Sequence, residues 1–396
     1  MIVIVIDSME RCYFISRLVH EIRGEYDLLF VTSEPLAHIR MRGLGYRSIY
    51  LRRPLLRAKQ DGITVESARV ELAIEVLNGD ITYTDAVIDA GAVSRTLKRV
   101  LESSRVSRCV VWNGQQLLGR IVADLCNKVK IPVNYLEISN LPGKLFVDSS
   151  GVNALSTISC NPQLIDRLPM PDPSFHEAWL AQYESYKSRP LPQARMRLSR
   201  KIASFCNYAV KFATQGVAQR TVRLSRLRNG AAAISMENTF STSELMSKPY
   251  VFLPLQVSSD TQIKLHSSVN NFDAIRLTVE TAREQDLRLL VKIHPAEADS
   301  EAIRRVLALR RELGFDVVSL PTVQLIKHAA LIVTINSTVG LEALMYGKPV
   351  KALGRAFYER FDQPRLLKYI HSFLVDGVDY FGSGPISAAA ARKVVG

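Results

Sequence analysis

Short, saturated apolar runs alternate along this chain with longer amphipathic ones. Residues 1–6 (MIVIVI) are wholly apolar and stop at Asp7-Ser8, the pattern of a strand buried on both faces. Similar runs stand at 27–32 (DLLFVT), 108–112 (RCVVW) and 132–136 (PVNYL). Helical spacing predicts helices over 11–21, 64–78 and 85–102, and from just after Gly114 to about Lys128. This alternation predicts a doubly wound sheet for the first half. The same pattern resumes later, with strands at 250–255, 287–293, 316–319, 331–335 and 348–352. Helices are predicted over 271–285, 300–313, 322–328 and from 336 to 346.

Between these halves the composition changes. Residues 187–228 hold eleven Lys or Arg and no Asp or Glu. Leu198, Ile202, Phe205, Val210, Phe212 and Val217 recur among the bases at helical spacing, with Pro190 and Pro192 before and Asn229-Gly230 after. The segment is expected to be helical and to lead into the interdomain region.

The expected fold class is therefore α/β, with two Rossmann-like doubly wound domains and an interdomain cleft, the GT-B architecture. Residues 1–230 form the first expected domain and 231–375 the second; 376–396 form a tail packing back on the first. Sugar-nucleotide epimerases share this plan, so fold alone does not select a function.

Composition narrows the classes. The 396 residues suit two domains, and 47% hydrophobic content excludes a disordered chain. The cysteines are Cys12, Cys109, Cys126, Cys160 and Cys206, an odd number with no CxxC pair. A zinc site or a disulfide framework is not expected; reduced thiols in a cytoplasmic protein are. The apolar start is cut short at Asp7 and Glu10, and no run reaches membrane-span length, so any membrane association is expected to be peripheral. A formal net charge of +13 suits acidic partners: nucleic acid, anionic lipid or acidic sugars. No nucleic-acid-binding module is recognisable, and nucleic acid is not the expected partner.

Five patches can carry chemistry. Asn336-Ser337-Thr338, followed by Glu342, places small polar residues where a strand gives way to a helix, which suits a phosphate. An ordinary N-cap explains the same residues. Lys292-Ile293-His294-Pro295 puts Lys292 and His294 on one face of a strand end, though a structural histidine would look alike. Gln256-Val257-Ser258-Ser259-Asp260 offers a strand-end carboxylate, or a helix cap. In the first half, Trp112-Asn113-Gly114-Gln115 is a polar strand tip. Glu137 opens a long, turn-rich loop through Asn140, Gly143, Asp148 and Asn153.

Together these patches resemble the bacterial capsule-synthesis family of β-Kdo transferases, with the related Kdo transferases of O-antigen assembly. QVSSD, KIHP and TINSTVGLEALMYGKPVKALGRAFY carry the resemblance over 250–358, and WNGQ and LEISNLPGKLFVDSSGVN carry it more faintly. Thr261-Gln262-Ile263 departs from the family pattern, which has a small residue and Ser or Ala after the aspartate.

The resemblance implies a GT-B enzyme using CMP-β-Kdo, with no metal and no other cofactor. By that resemblance Asp260 is the nucleophile and Glu137 the acid/base. His294, Lys292, Asn336, Ser337 and Thr338 hold the CMP phosphate, and Glu342 the ribose. Asn113, Gln115 and Asn140 lie on the acceptor side. The expected reaction is retaining transfer of Kdo to a bacterial surface polysaccharide or glycolipid through a covalent Asp260 adduct. Expected partners are a glycan or glycolipid acceptor, an anionic inner-membrane surface and other components of a polysaccharide assembly system. Two alternatives stand beside it: another CMP-sugar transferase such as a sialyltransferase, and a basic nucleic-acid-binding or non-catalytic assembly protein.

Overall fold

The computed structural model describes residues 1–54, 69–139, 141–187, 198–220 and 248–396. Two sheets organise it. The first contains β1 (Ile2–Ile6), β2 (Leu28–Thr32), β3 (Arg47–Tyr50), β4 (Arg108–Trp112), β5 (Val133–Ile138), β6 (Lys144–Asp148) and β12 (Val375–Asp376). The second contains β7 (Tyr250–Pro254), β8 (Arg288–Lys292), β9 (Asp316–Val317), β10 (Leu331–Thr334) and β11 (Val350–Ala352).

The first sheet runs β12-β6-β5-β4-β1-β2-β3. Its strands are parallel except that β6 runs against β5, and β12 against β6. The second runs β11-β10-β7-β8-β9 and is parallel throughout. Both are doubly wound sheets, as expected. Each winds outward in two directions from one pair of strands: β1 and β4 in the first sheet, β7 and β10 in the second. Ligands of such folds bind outside the carboxyl ends of the strands at this switch point.

The chain divides into two units. The first holds Met1–Thr157, the described residues of Glu177–Thr221, and His371–Gly396; the second holds Ile158–His176 and the described residues of Val222–Ile370. This differs from the expected boundary at 230. Ile158–His176 joins the second unit because Arg365 grips Asp166 with two 2.8 Å hydrogen bonds and the Lys368 ammonium donates to the Asp166 carbonyl at 2.6 Å. The chain re-enters the first unit at His371, ahead of the expected 376.

In the first unit, the saturated strands pack beneath the helices Met9–Leu18 and Ala388–Val395; Ile4, Ile6, Phe14, Leu18, Val394 and Val395 are fully or almost fully buried. The C-terminal segment is tied down by polar groups as well. Arg17 donates to the carbonyls of Asp379, Tyr380 and Gly384. In the second unit, one apolar layer packs Val251, Leu253 and Val333 against the helix Asn271–Glu284. The opposite layer packs Tyr250, Phe252 and Ile332 against Leu325, Ile326 and Ala343.

Two local expectations are corrected. The loop expected after Glu137 is a hairpin: β5 runs on to Ile138, and the chain turns through Gly143 (φ +69°) into antiparallel β6. Lys-Leu-Phe-Val-Asp of β6 is an apolar-rich strand that a focus on neighbouring turn residues hides. The helix expected over 64–78 falls partly outside the described residues. Its described part is only a 3₁₀ turn, Val70–Leu72, and one α-helical turn, Ile74–Leu77, broken by extended Ala73. β3 and the helix Pro173–Lys187 carried no expectation.

Candidate active site

The second unit joins two strand-end loops and a helix start at one buried residue, Gln256, which is 5% exposed. Gln256 follows a strand buried on every residue, so its polar groups must find partners inside the protein. Its amide finds all of them. Nε2 donates to Asp260 Oδ2 and to Asn336 Oδ1, each at 3.1 Å. Oε1 accepts the Asn336 backbone N–H at 3.2 Å. The Gln256 main chain exchanges two further bonds with the Asn271 side chain, at 3.2 and 2.7 Å. The loop after β7, the loop after β10 and the start of the helix Asn271–Glu284 are thereby fixed together at the β7/β10 switch point.

Asp260 caps the helix Thr261–His266, its Oδ1 accepting the Gln262 N–H at 2.8 Å. The cap and the carboxylate at the strand end are thus one residue in one geometry. Each carboxylate oxygen accepts one of these hydrogen bonds, and an ionised carboxylate has lone pairs beyond those. The unusual Thr261-Gln262-Ile263 segment is built into the same loop pair, because Asn336 Nδ2 donates to the Gln262 carbonyl at 2.9 Å.

His294 lies in the loop after β8. Its Nδ1 accepts the Ala296 N–H at 3.1 Å, which leaves the proton of the neutral ring on Nε2. Much of the residue's surface is open, yet the loops crowding the ring desolvate it and hold its pKa below the ordinary histidine range. Lys292 pushes the same way, while Asp260 and Glu297 oppose. His294 and Asp260 are therefore electrostatic neighbours. A further clamp joins their loops: Glu297 Oε2 accepts both the backbone N–H and the hydroxyl of Ser258 at 2.7 Å.

Ser337 is the N-cap of the helix Thr338–Met345, its hydroxyl accepting the Val339 N–H at 3.2 Å. Its carbonyl takes the buried Tyr358 hydroxyl and the Gly340 N–H. Gly340 is required here by close approach: a Cβ would stand 2.7 Å from Tyr358 Cε2 and Cζ. Asn336, Ser337 and Thr338 sit together at this helix start, beside the Asp260 loop.

Lys292 and Glu342 form a different group. The Lys292 ammonium donates to the Leu320 carbonyl at 2.7 Å and to the Thr322 hydroxyl at 2.9 Å. Burial pushes its pKa down to about 8, with the Glu342 charge opposing. Glu342 is 4% exposed on the inward face of its helix. Two of the three Lys292 N–H groups are thus taken by the neighbouring β9 connection. Glu342 is buried close enough to that ammonium for its charge to raise the Lys292 pKa.

In the first unit, Asn113 and Glu137 meet at the ends of β4 and β5. Asn113 Nδ2 donates to Glu137 Oε2 at 3.1 Å. Asn113 holds a left-handed backbone (φ +32°), its Oδ1 accepting the Gln115 N–H at 3.0 Å. Gln115, expected on the acceptor side, is 1% exposed; its carbonyl accepts the Ile74 N–H, so it joins its loop to the Ile74–Leu77 turn instead of facing solvent. Asn140 lies outside the described residues.

Sequence reasoning missed the charged pair beside them. At the β1/β4 switch point Arg11 Nη1 donates to Asp7 Oδ1 at 2.5 Å and to Gln116 Oε1. Its guanidinium lies 5.0 Å from the Trp112 ring centroid. Burial opposes the Arg11 charge, but the Asp7 charge and hydrogen bond outweigh it and its pKa is raised. The available signal was Asp7 at the end of a saturated strand with Arg11 one helical turn on. Asn271 and Glu297 were missed, and Gln256 and Ser258 were read only as part of QVSSD, because the partners that define their roles are 15 to 80 residues away in sequence.

Comparison with known proteins adds identity to this geometry. Residues 108–361 match the family described as capsule polysaccharide biosynthesis protein. The capsule polysaccharide export protein KpsS of Escherichia coli is 28% identical over 245 residues, 55% of this chain and 59% of KpsS. The capsule polysaccharide modification protein LipB of Neisseria meningitidis is 31% identical over 121 residues, 28% of this chain and 29% of LipB. The chain thus spans about three fifths of the first of these relatives and less than a third of the second. Among solved structures, the KpsC beta Kdo 2,4 transferase of Thermosulfurimonas dismutans aligns over 74% of this chain and 88% of its own. That alignment has 17% identity and a TM-score of 0.43. Since the family match covers more than half of its length, the chain belongs to the capsule polysaccharide biosynthesis protein family.

Proposed function

We propose that this chain is a glycosyltransferase that moves Kdo from CMP-β-Kdo to a bacterial surface polysaccharide or glycolipid, with retention of configuration. The observation that supports this most is the Gln256 clamp, which fixes a carboxylate (Asp260) beside a helix start (Asn336–Thr338) at a switch point, with a neutral imidazole (His294) as electrostatic neighbour. A carboxylate and a set of donors side by side suit a substrate whose anomeric carbon is joined to a single phosphate. Family membership supports the setting of capsule polysaccharide assembly.

In the proposed reaction, Asp260 attacks the anomeric carbon of Kdo and the bond to the CMP phosphate oxygen breaks, the electron pair leaving with CMP. The Nε2 proton of His294 and the N–H groups at the start of Thr338–Met345 stabilise that phosphate. An acceptor hydroxyl then displaces Asp260, its proton passing to a general base, and two inversions restore the starting configuration. Lys292 takes a positioning role in this scheme, because its ammonium is tied to Leu320 and Thr322.

The test is incubation of the purified chain with CMP-Kdo, then with CMP-sialate, with CMP release as the readout. Release from CMP-Kdo, with a Kdo mass adduct mapped to the Asp260 peptide when acceptor is withheld, is the expected result. Preference for CMP-sialate would favour a different CMP-sugar transferase, and near-normal turnover by Asp260→Asn would remove Asp260 as nucleophile.

A further inference from the structure

The helix Leu198–Ala213 is docked inside out. Its polar stripe faces the protein: Asn207 is 5% and Lys211 6% exposed. Both meet Glu34 at the end of β2, with Lys211 Nζ 2.6 Å from Glu34 Oε1 and Asn207 Nδ2 donating to Oε2. Asn207 Oδ1 also accepts the Leu36 N–H at 3.0 Å. The helix end is pinned too. Thr214 bonds the Tyr50 hydroxyl at 2.7 Å, and Gly216 packs against that ring with no room for a Cβ.

The apolar stripe faces outward. Ile202, Phe205 and Phe212 are 55%, 73% and 70% exposed, and Cys206 is exposed between them. Positions 202, 205, 206, 209 and 212 fall on one side of a helix, opposite 207 and 211. A soluble protein ordinarily docks such a helix the other way round, and a contiguous apolar stripe on a firmly anchored helix marks an interaction surface.

We propose that this face lies in the headgroup layer of an anionic membrane, with the phenyl rings of Phe205 and Phe212 inserted. Charge complementarity selects this occupant. The helix sits in segment 187–228, which has eleven Lys or Arg, Lys211 among them paired inward with Glu34, and no Asp or Glu to repel an anionic surface, on a chain of net charge +13. Two copies meeting through this face would bring like charges together, whereas anionic headgroups neutralise them. No helix among the described residues is long and apolar enough to cross a membrane, so the mode is in-plane docking. The acidic partner expected from the net charge thereby gains a chemistry and a surface, independently of the transfer reaction: vesicle binding without CMP release would keep this proposal and sink the other.

The experiment is sedimentation of the full chain with vesicles of phosphatidylcholine alone or mixed with phosphatidylglycerol. The expected result is binding to the anionic vesicles only, weakened by salt and reduced at least about tenfold by Phe205→Ser with Phe212→Ser. An unchanged thermal midpoint shows that the variant is folded, since both rings are exposed. A Cys160→Ser chain carrying an environment-sensitive dye on Cys206 should shift to blue emission on adding anionic vesicles. Failure of the unaltered chain to bind anionic vesicles at low salt overturns the proposal. So does undiminished binding by the double variant, or a concentration-dependent dimer that the same two substitutions abolish.

Discussion

Gln256 and Asn336 hold each other by two hydrogen bonds: the Asn336 backbone N–H donates to Gln256 Oε1 at 3.2 Å, and Gln256 Nε2 donates back to Asn336 Oδ1 at 3.1 Å. These residues lie two positions beyond the ends of neighbouring strands, at the point where the second sheet reverses its winding, so the exchange sets the spacing of the two loops there. Both are buried, and neither can turn to water if the other is lost.

Gln256→Leu fills similar space but orphans the Asn336 N–H and removes one donor from Asp260. The expected loss is about 2–4 kcal/mol of stability in the second unit, from stranded buried groups at about 1–3 kcal/mol each. Urea unfolding measures it. Gln256→Glu should behave differently, because it retains the acceptor for Asn336 and places a new carboxylate against Asp260. Its pKa should rise, so its stability should be fuller at low pH and fall as pH climbs through the raised value.

Gly340→Ala would ordinarily favour a helix, by about 1 kcal/mol. Here the new methyl group would collide with the Tyr358 ring and displace the hydroxyl that holds the Ser337 carbonyl. A net loss of about 1–3 kcal/mol is expected from this overpacking. Tyr358→Phe deletes the hydroxyl, so the double variant should be more stable than the two single losses predict when added. Additive losses in thermal unfolding would show that the two residues are not in contact.

The sheets of both units were legible because the saturated runs at 1–6, 108–112, 250–255 and 331–335 are short, apolar and bounded by polar residues, and they became β1, β4, β7 and β10. β6 was not legible, because its apolar residues lie between Gly143 and Asp148 in a stretch rich in turn formers. At the candidate site, local motifs revealed which loops matter, since strand tips carrying Asp260, His294 and Ser337 announce themselves in sequence. The residue that assembles them did not. Gln256 reads as the first residue of QVSSD, and its role depends on Asn336, 80 residues on. The burial of Gln115 and Glu342 was equally hidden, because their motifs look the same whether a side chain faces water or the core.

Asp7 and Arg11 make a largely buried ion pair, their side chains 5% and 14% exposed. Asp7→Asn should leave the Arg11 charge without its partner and cost about 3 kcal/mol. Adding Arg11→Met should restore much of that loss, because the buried charge then disappears. Trp112 provides an independent reading: its fluorescence should change with Arg11→Met, which removes the cation over its ring. Equal destabilisation of the single and double variants would place the pair in water-like surroundings.

The His294 ring should titrate below an ordinary histidine, mainly because its surroundings desolvate it. Protonation of Nδ1 would also break the bond from Ala296. Asp260 pulls the value up, so Asp260→Asn should lower the midpoint further; Lys292 pushes it down, so Lys292→Met should raise it. The linkage sign follows. Between the folded value and the unfolded value of about 6.5, the unfolded chain binds more protons, so this group's contribution is present above that range and lost as pH falls through it. A phosphate bound at the Asn336–Thr338 helix start and reaching His294 should lift the midpoint, since added negative charge favours imidazolium. NMR titration of the ring protons, alone and with CMP, reads all four shifts. A midpoint indifferent to Asp260→Asn would mean that the carboxylate and the imidazole do not share one site, and the assignment of leaving-group support to His294 would fall with it.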